Sequence, residues 1–262
     1  MMAPSASDSA RIAPPRIEVA NLDMAYGGFV IQRNVSFMVR PAEIFVIMGG
    51  SGSGKSTLLR HLIGLKAPAR GDVFYDGRSL WTAGPAEREE MMRRVGIVYQ
   101  SNALWSSLTL SENVALLLEE FTDLGANEIR DAAALKLALV GLAGFEDFYP
   151  CEVSGGMEKR AALARAMALD PEILFLDEPS TGLDPVSARL LDDLVLDLRD
   201  ALGTTVVVVT HDLASIQAIG DNAVFLDPET KSVTAQGHPK ALLADPPNPK
   251  VRAFLTREPL AR

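Results

Sequence analysis

The run from Val153 to Pro185, VSGGMEKRAALARAMALDPEILFLDEPSTGLDP, constrains the fold of this chain more than any other. It opens with a Ser-Gly-Gly turn, enters an alanine-rich helix and stops at Asp170-Pro171. A short apolar strand follows, Ile173–Leu176, and ends in two adjacent carboxylates, Asp177 and Glu178. A strand buried on both faces belongs in a parallel sheet, and such sheets bind ligands at the carboxyl ends of their strands. A second unit of the same kind lies upstream. Glu43–Met48 is apolar after its first residue, Gly49–Thr57 is glycine-rich, and a helix is expected from Lys55 to about Leu65.

The rest of the chain fits around these two units. Ile17–Met24 and Asn34–Arg40 alternate apolar with polar residues and read as half-buried strands. Gly71–Gly77 reads as an edge strand framed by turn glycines, and Val95–Tyr99 as a buried strand ending at Gln100. Thr109-x-x-Glu112 is a capping box before an apolar helix, Val114 to about Glu119. A second helix, Glu128–Val140, stops at Gly141. Asp184 and Pro185 cap and start a helix with Leu190, Leu191, Leu194 and Leu198 on one side, which Gly203 closes before the β-branched strand Thr204–Thr210. Alternating strands and helices predict an α/β fold, a mostly parallel sheet with helices on both faces. The helical stretch at about 101–160 makes a small lobe.

Composition narrows the classes. The 262 residues suit one large domain or a domain with a small lobe, and 48% apolar content is ordinary for a folded protein. No apolar run approaches the ~20 residues of a membrane span, so the chain is expected to be soluble and to reach a membrane only through a partner. A net charge of −9 argues against a broad surface for nucleic acid or anionic lipid. Phosphate recognition must rest on local amides and single cations. The one cysteine, Cys151, excludes an internal disulfide and reads as passive. Residues 1–16 lack the apolar segment of a secretory signal and read as a frayed tail. His61 and His238 read as surface residues.

Gly49-Gly50-Ser51-Gly52-Ser53-Gly54-Lys55-Ser56-Thr57 satisfies the phosphate-loop pattern G-x-x-x-x-G-K-S/T, with a buried strand before it and a helix after it. The glycines let successive amides point inward at a phosphate, and the helix N-terminus adds partial positive charge. Lys55 should reach the β- and γ-phosphates, and the Ser56 hydroxyl should be a ligand for Mg²⁺. Asp177 would hold the magnesium through its water shell. Glu178 would orient and deprotonate an attacking water.

With both signals in hand, the chain resembles the nucleotide-binding subunit of ATP-binding cassette (ABC) transporters from Ile17 to Gln236. Ser154-Gly155-Gly156 resembles the family signature and Ser180-Thr181-Gly182-Leu183-Asp184 its D-loop. Gln100 matches the Q-loop glutamine and His211 the switch histidine. Tyr26 sits where the family stacks an aromatic ring on adenine, although it could equally cover the core at a strand end. The resemblance implies a P-loop NTPase core over 17–240, with an antiparallel β subdomain and a helical subdomain. It also implies two chains sandwiching two ATP molecules, the Ser-Gly-Gly turn and Asp184 of one chain acting on nucleotide held by the other. His211 would contact the γ-phosphate and support Glu178. Gln100 would sense the metal and the attacking water.

Two departures narrow the resemblance. Met157 stands where most members carry Gln, and Ser101–Leu108 is followed by Glu112-Asn113-Val114. Both are similar to the ATPases of Mla/Mce-type lipid transporters, as is the tail Asn248–Leu255. This implies a place on the cytoplasmic face of the inner membrane, beside an MlaE-like permease, with a Mce-domain protein beyond it and a STAS-domain regulator. The implied cargo is phospholipid, in the upkeep of outer-membrane asymmetry; the alternative is an importer of amino acids or other small solutes. Phe254 and Leu255, on a short helix in the tail 241–262, would either anchor a neighbouring subunit or pack on their own domain.

Overall fold

The computed structural model describes residues 14–258. Of the tail expected at 1–16, residues 1–13 lie outside the described residues, as do 259–262 of the C-terminal tail. Arg16 is already tied down, 3.1 Å from Asp76 and 2.7 Å from Glu172, and Arg94 bridges the same two carboxylates.

The main sheet has six strands in the order β10 (Ser232–Gly237), β9 (Asn222–Asp227), β3 (Ile44–Met48), β8 (Thr205–Val209), β7 (Ile173–Asp177) and β6 (Val95–Val98). The pairings from β9 through β6 are parallel, and β10 adds antiparallel at the edge. β3 and β8 are buried at every residue, as their unbroken apolar runs require. The parallel register puts the carboxyl ends of four strands on one edge. Gly49 follows β3 there, Gln100 lies just past β6, Asp177 and Glu178 end β7, and His211 lies just past β8.

A second, antiparallel sheet runs β2 (Phe29–Val39), β1 (Ile17–Tyr26), β4 (Arg70–Tyr75) and β5 (Arg78–Ser79). β2 begins before the Asn34 expected from alternation, because Asn34 has φ 51° and breaks the period; its amide donates to Asp23 Oδ1 at 2.7 Å. The expected edge strand at Gly71–Gly77 is β4, and it is not an edge: β1 pairs on one side and the two-residue β5 on the other. This sheet covers α1 (Lys55–Leu62), and Phe37 stacks on Phe45 of β3 with ring centroids 4.9 Å apart.

The helical lobe contains α3 (Leu110–Phe121), α4 (Ala126–Leu139) and α5 (Gly155–Ala166), preceded by α2 (Pro85–Arg93), which sequence reading passed over. The capping box forms as expected: the Glu112 amide donates to Thr109 Oγ1 and the Thr109 amide to Glu112 Oε2. Val114, Leu118, Ala133, Leu137, Ala161 and Ala162 make one core, each large side chain contributing ~1.5–3 kcal/mol. α6 (Pro185–Leu202) is capped by Asp184 and closed by Gly203 at φ 68°. Its inner face is Leu191, Val195 and Leu198, while Leu190, expected inside, is 56% exposed because the 3.6-residue period carries it off that stripe.

α7 (Leu213–Ile219), α8 (Pro239–Ala244) and α9 (Pro249–Thr256) complete the chain. Leu255 is buried with Val251 against β9 and β3, and the Phe254 ring meets Phe225 edge-on at 5.2 Å. Lys250 bonds Asp227 Oδ2 at 2.8 Å. Phe254 and Leu255 thus pack on their own domain. No helix among the described residues is long and apolar enough to cross a membrane.

Candidate functional site

The loop after β3 is shaped by its glycines. Gly54 caps α1 at φ 93°, and a Cβ there would lie 2.6 Å from Ile31 Cγ2. A Cβ on Gly49 would lie 2.6 Å from the Leu226 carbonyl oxygen. No side chain caps the first amides of α1, which stay open to a ligand. Lys55 curls over its own loop and donates to the carbonyls of Gly49 at 2.9 Å and Gly50 at 3.3 Å. Burial lowers its pKa, and the charges of Glu178 and Asp177 oppose that shift. Ser51 and Ser56 are exposed, Gly50, Gly52 and Thr57 line the loop, and Ser53 is buried with its hydroxyl unpartnered. Gln32, unnoticed in the sequence, props the loop by donating to the carbonyls of Ser53 (2.8 Å) and Asp227 (3.0 Å).

At the end of β7, Asp177 has a buried Oδ1 with no hydrogen-bond partner. Burial raises its pKa, as does the Glu178 charge, against the pull of Lys55. Glu178 is 8% exposed and has φ 49°, a left-handed conformation that costs an L-residue ~1–2 kcal/mol. Its amide is held by the Val209 carbonyl at 2.7 Å. His211 Nδ1 comes within 2.8 Å of Glu178 Oε2 but out of line for a hydrogen bond, so that buried oxygen lacks an aligned donor. Strained, under-satisfied acidic groups collect where a ligand is handled.

Gln100 is exposed, and its carbonyl accepts a bond from the buried Lys159 at 3.2 Å. Arg165 donates to the carbonyls of Asn102 and Ala103, both at positive φ. Asn113, fully buried, accepts from the Trp105 amide and donates to the carbonyls of Trp105, Leu108 and Thr109. Sequence reading missed all three, because their partners are backbone atoms of an irregular loop.

A separate cluster forms around the head of α5. Ser154 caps it, accepting from the Met157 amide at 3.3 Å; Ser154 and Gly155 are exposed. A Cβ on Gly156 would meet Ser187 Oγ at 3.2 Å, and that hydroxyl donates to Asp184. Asp184 also accepts from the amides of Val186 and Ser187, and the Ser187 bonds hold its pKa down. The structure thus gathers Ser154, Gly155, Gly156 and Asp184 in one cluster, and Lys55, Asp177, Glu178 and His211 in a second. Among the described residues no hydrogen bond or ion pair joins Ser154–Gly156 to Gly49–Thr57. Met157, at the departing signature position, packs into the lobe core.

Residues 32–181 match the family described as ABC transporter. The chain belongs to the ABC transporter family. Two curated relatives agree over most of its length. The probable ribonucleotide transport ATP-binding protein mkl of Mycobacterium tuberculosis H37Rv is 40% identical over 239 residues, 91% of this chain and 66% of that protein. The chain therefore spans just under two thirds of mkl. The intermembrane phospholipid transport system ATP-binding protein MlaF of Escherichia coli K12 is 38% identical over 239 residues, 91% of this chain and 88% of that protein. Among solved structures, the ATP-binding cassette MJ0796, in a dimeric post-hydrolysis state bound to ADP and Pi, superposes with a TM-score of 0.76 at 31% identity, covering 85% of this chain and 98% of that one.

The donors of the cassette also fit a hard cation. Ser56 offers an exposed hydroxyl and Asp177 a carboxylate oxygen without a partner. No group of three or more His, Cys, Asp or Glu among the described residues could hold a metal. Such a donor set suits Mg²⁺ completed by water and phosphate oxygens.

Proposed function

We propose that this chain is the ATP-hydrolysing subunit of a transporter that moves phospholipid, working as a dimer on the cytoplasmic face of the inner membrane. The observation that carries the reading is half-buried Asp177 beside buried Glu178, each with an unpartnered oxygen, facing Lys55 at the edge of the sheet. Lys55 and the loop amides bind the β- and γ-phosphates. Ser56, Asp177 and Gln100 would hold Mg²⁺, which would neutralise phosphate charge when bound. Glu178 takes a proton from the attacking water, and His211 holds Glu178 and contacts the γ-phosphate. Ser154, Gly155, Gly156 and Asp184 act on the nucleotide of a second copy, as their distance in bonding from the phosphate loop suggests, and Tyr26 carries the adenine.

A permease of the MlaE kind, a Mce-domain protein beyond it and a STAS-domain regulator complete the assembly. A 410 Å³ groove beside the Gln100 loop, where Trp105, Leu117 and Phe121 meet Met92, offers an apolar surface for such a partner. Phospholipid as cargo is supported by the likeness to MlaF. The name of mkl favours a small-solute alternative. Lipid or ribonucleotide co-purified with the complex from native membranes decides between them.

The dimer reading is tested by mixing. Lys55→Ala should weaken nucleotide binding in calorimetry, Ser154→Arg should spare it, and each alone should lose hydrolysis. An equal mixture should recover about a quarter of the wild-type rate, since half of the dimers are mixed and hold one whole pocket each. Full hydrolysis by either variant as a monomer would sink the proposal.

A further inference from the structure

The segment leaving α1 is wired back onto the ring of Tyr26. Gly64, at φ 76°, turns the chain, and the amides of Leu65 and Lys66 both donate to the Arg60 carbonyl, at 2.9 and 3.1 Å. The Lys66 carbonyl accepts from Nδ1 of His61. His61 was expected at the surface; it is fully buried, on the same stripe as Leu58 and Leu62, and its Nε2 has no partner. Burial lowers its pKa, the bond to the Lys66 carbonyl opposes that shift and the Lys66 charge adds to it; a neutral ring making this bond carries its one proton on Nδ1.

Anchored in this way, Lys66 places its ammonium 3.3 Å from the centroid of the Tyr26 ring. Arg60 donates to the Tyr26 hydroxyl at 3.2 Å. The backbone of Tyr26 is fixed by pairing with Phe29 across the β1–β2 turn. The ring is thus held at its backbone, at its tip and on one face, yet remains 43% exposed.

We infer that Arg60, Lys66 and His61 form a clamp that presents the remaining face of Tyr26 to the nucleotide base, which makes Arg60 and Lys66 positioning residues for base stacking. The inference rests on the proposed role of Tyr26. A cation on one face draws π-density through the ring and strengthens stacking of an electron-rich purine on the other. A ring already fixed loses little freedom when the base arrives. Because α1 also begins at Lys55 and Ser56, base platform and phosphate loop are parts of one rigid element.

Calorimetry with ADP and, separately, inorganic tripolyphosphate tests this, since the second ligand has no base. Lys66→Met should raise the Kd for ADP about three- to tenfold and leave tripolyphosphate within about twofold, with Lys66→Arg restoring ADP affinity. The charge of Lys66 does not hold the fold together, so this variant should remain folded. Unchanged or tighter ADP binding by Lys66→Met would overturn the clamp, as would an equal loss for both ligands, which would mark a disturbed phosphate loop. Tyr26→Ala separates the two levels: ADP affinity unaffected by that change would refute stacking itself.

Discussion

Glu178→Gln isolates one carboxylate oxygen with the least disturbance to its surroundings. Glutamine keeps the length of the side chain, the Cβ and the amide that bonds the Val209 carbonyl at 2.7 Å. The backbone strain at φ 49° is present in both proteins and cancels. What changes is a charge on a residue 8% exposed, whose Oε2 has no aligned donor. A buried polar atom left unsatisfied costs ~1–3 kcal/mol, and removing its charge lightens that burden while forfeiting some attraction to Lys55. The two effects are of similar size, so unfolding free energy should stay within ~1 kcal/mol of wild type. A general base supplies about 10²–10⁴ in rate, or ~3–5 kcal/mol of barrier at 1.36 kcal/mol per tenfold. Phosphate release under saturating ATP should fall by at least ~10²-fold, with nucleotide affinity and Tm preserved. Turnover within fivefold of wild type would refute the assignment. A collapse of Tm alongside the lost activity would refute the stability argument, because then the carboxylate holds the fold rather than the water.

Two further predictions concern buried polar groups away from the phosphates. Asp192, on α6, has its pKa pushed up to about 6 by burial, with the Asp212 charge acting in the same direction and a Ser215 hydrogen bond opposing. A carboxyl that binds its proton more tightly when folded contributes most below its unfolded value of ~4 and loses that contribution as pH rises through about 6. Asp192→Asn should therefore match wild type in Tm near pH 4 and exceed it at pH 7.5 by an amount worth ~1–3 kcal/mol; parallel curves would refute the burial cost. Asn113→Ala strips four hydrogen bonds from the loop at Trp105–Thr109 and should cost ~2–4 kcal/mol in denaturant unfolding, with a shift in Trp105 emission; a loss under ~0.5 kcal/mol would show the loop holds itself.

The parts of the site that were legible are those whose meaning is local. A strand, a glycine loop and a helix are contiguous at Ile44–Leu62, and a strand ending in two acids is contiguous at Ile173–Glu178, so pattern alone located them. His61 was misread although the signal was present, since it falls three residues after Leu58 and just before Leu62 on the buried face of α1. The roles of Lys159 and Arg165 were not legible, because each reaches backbone carbonyls of a loop far upstream in sequence that no side-chain pattern announces. β4 was taken for an edge because the two-residue β5 is too short to carry a period. The last helix is legible as the short tail helix of Phe254 and Leu255, and α8 carries the same start signal, Pro239 behind a capping His238, as α9 does with Pro249 behind Asn248.

The charge balance of the phosphate site explains why the proposed cycle needs both a cation and a second chain. Lys55 faces two carboxylates, Asp177 and Glu178, with Arg60 near the first and Lys159 near the second, so the cradle has little positive charge to spare before any phosphate arrives. A triphosphate entering it meets loop amides and these few cations, which cannot offset its own charge and that of the pair. A divalent metal held beside Asp177 would supply part of the difference. The rest must come as hydrogen-bond donors, and within one chain the free donors at the head of α5 form no bond to this loop. A neutral turn brought in by a partner suits that need, since it stabilises the γ-phosphate only while the phosphate remains. Once the bond is cut, a site holding two separated anions and no shared donor contact would favour release, and the same imbalance that demanded closure would drive opening.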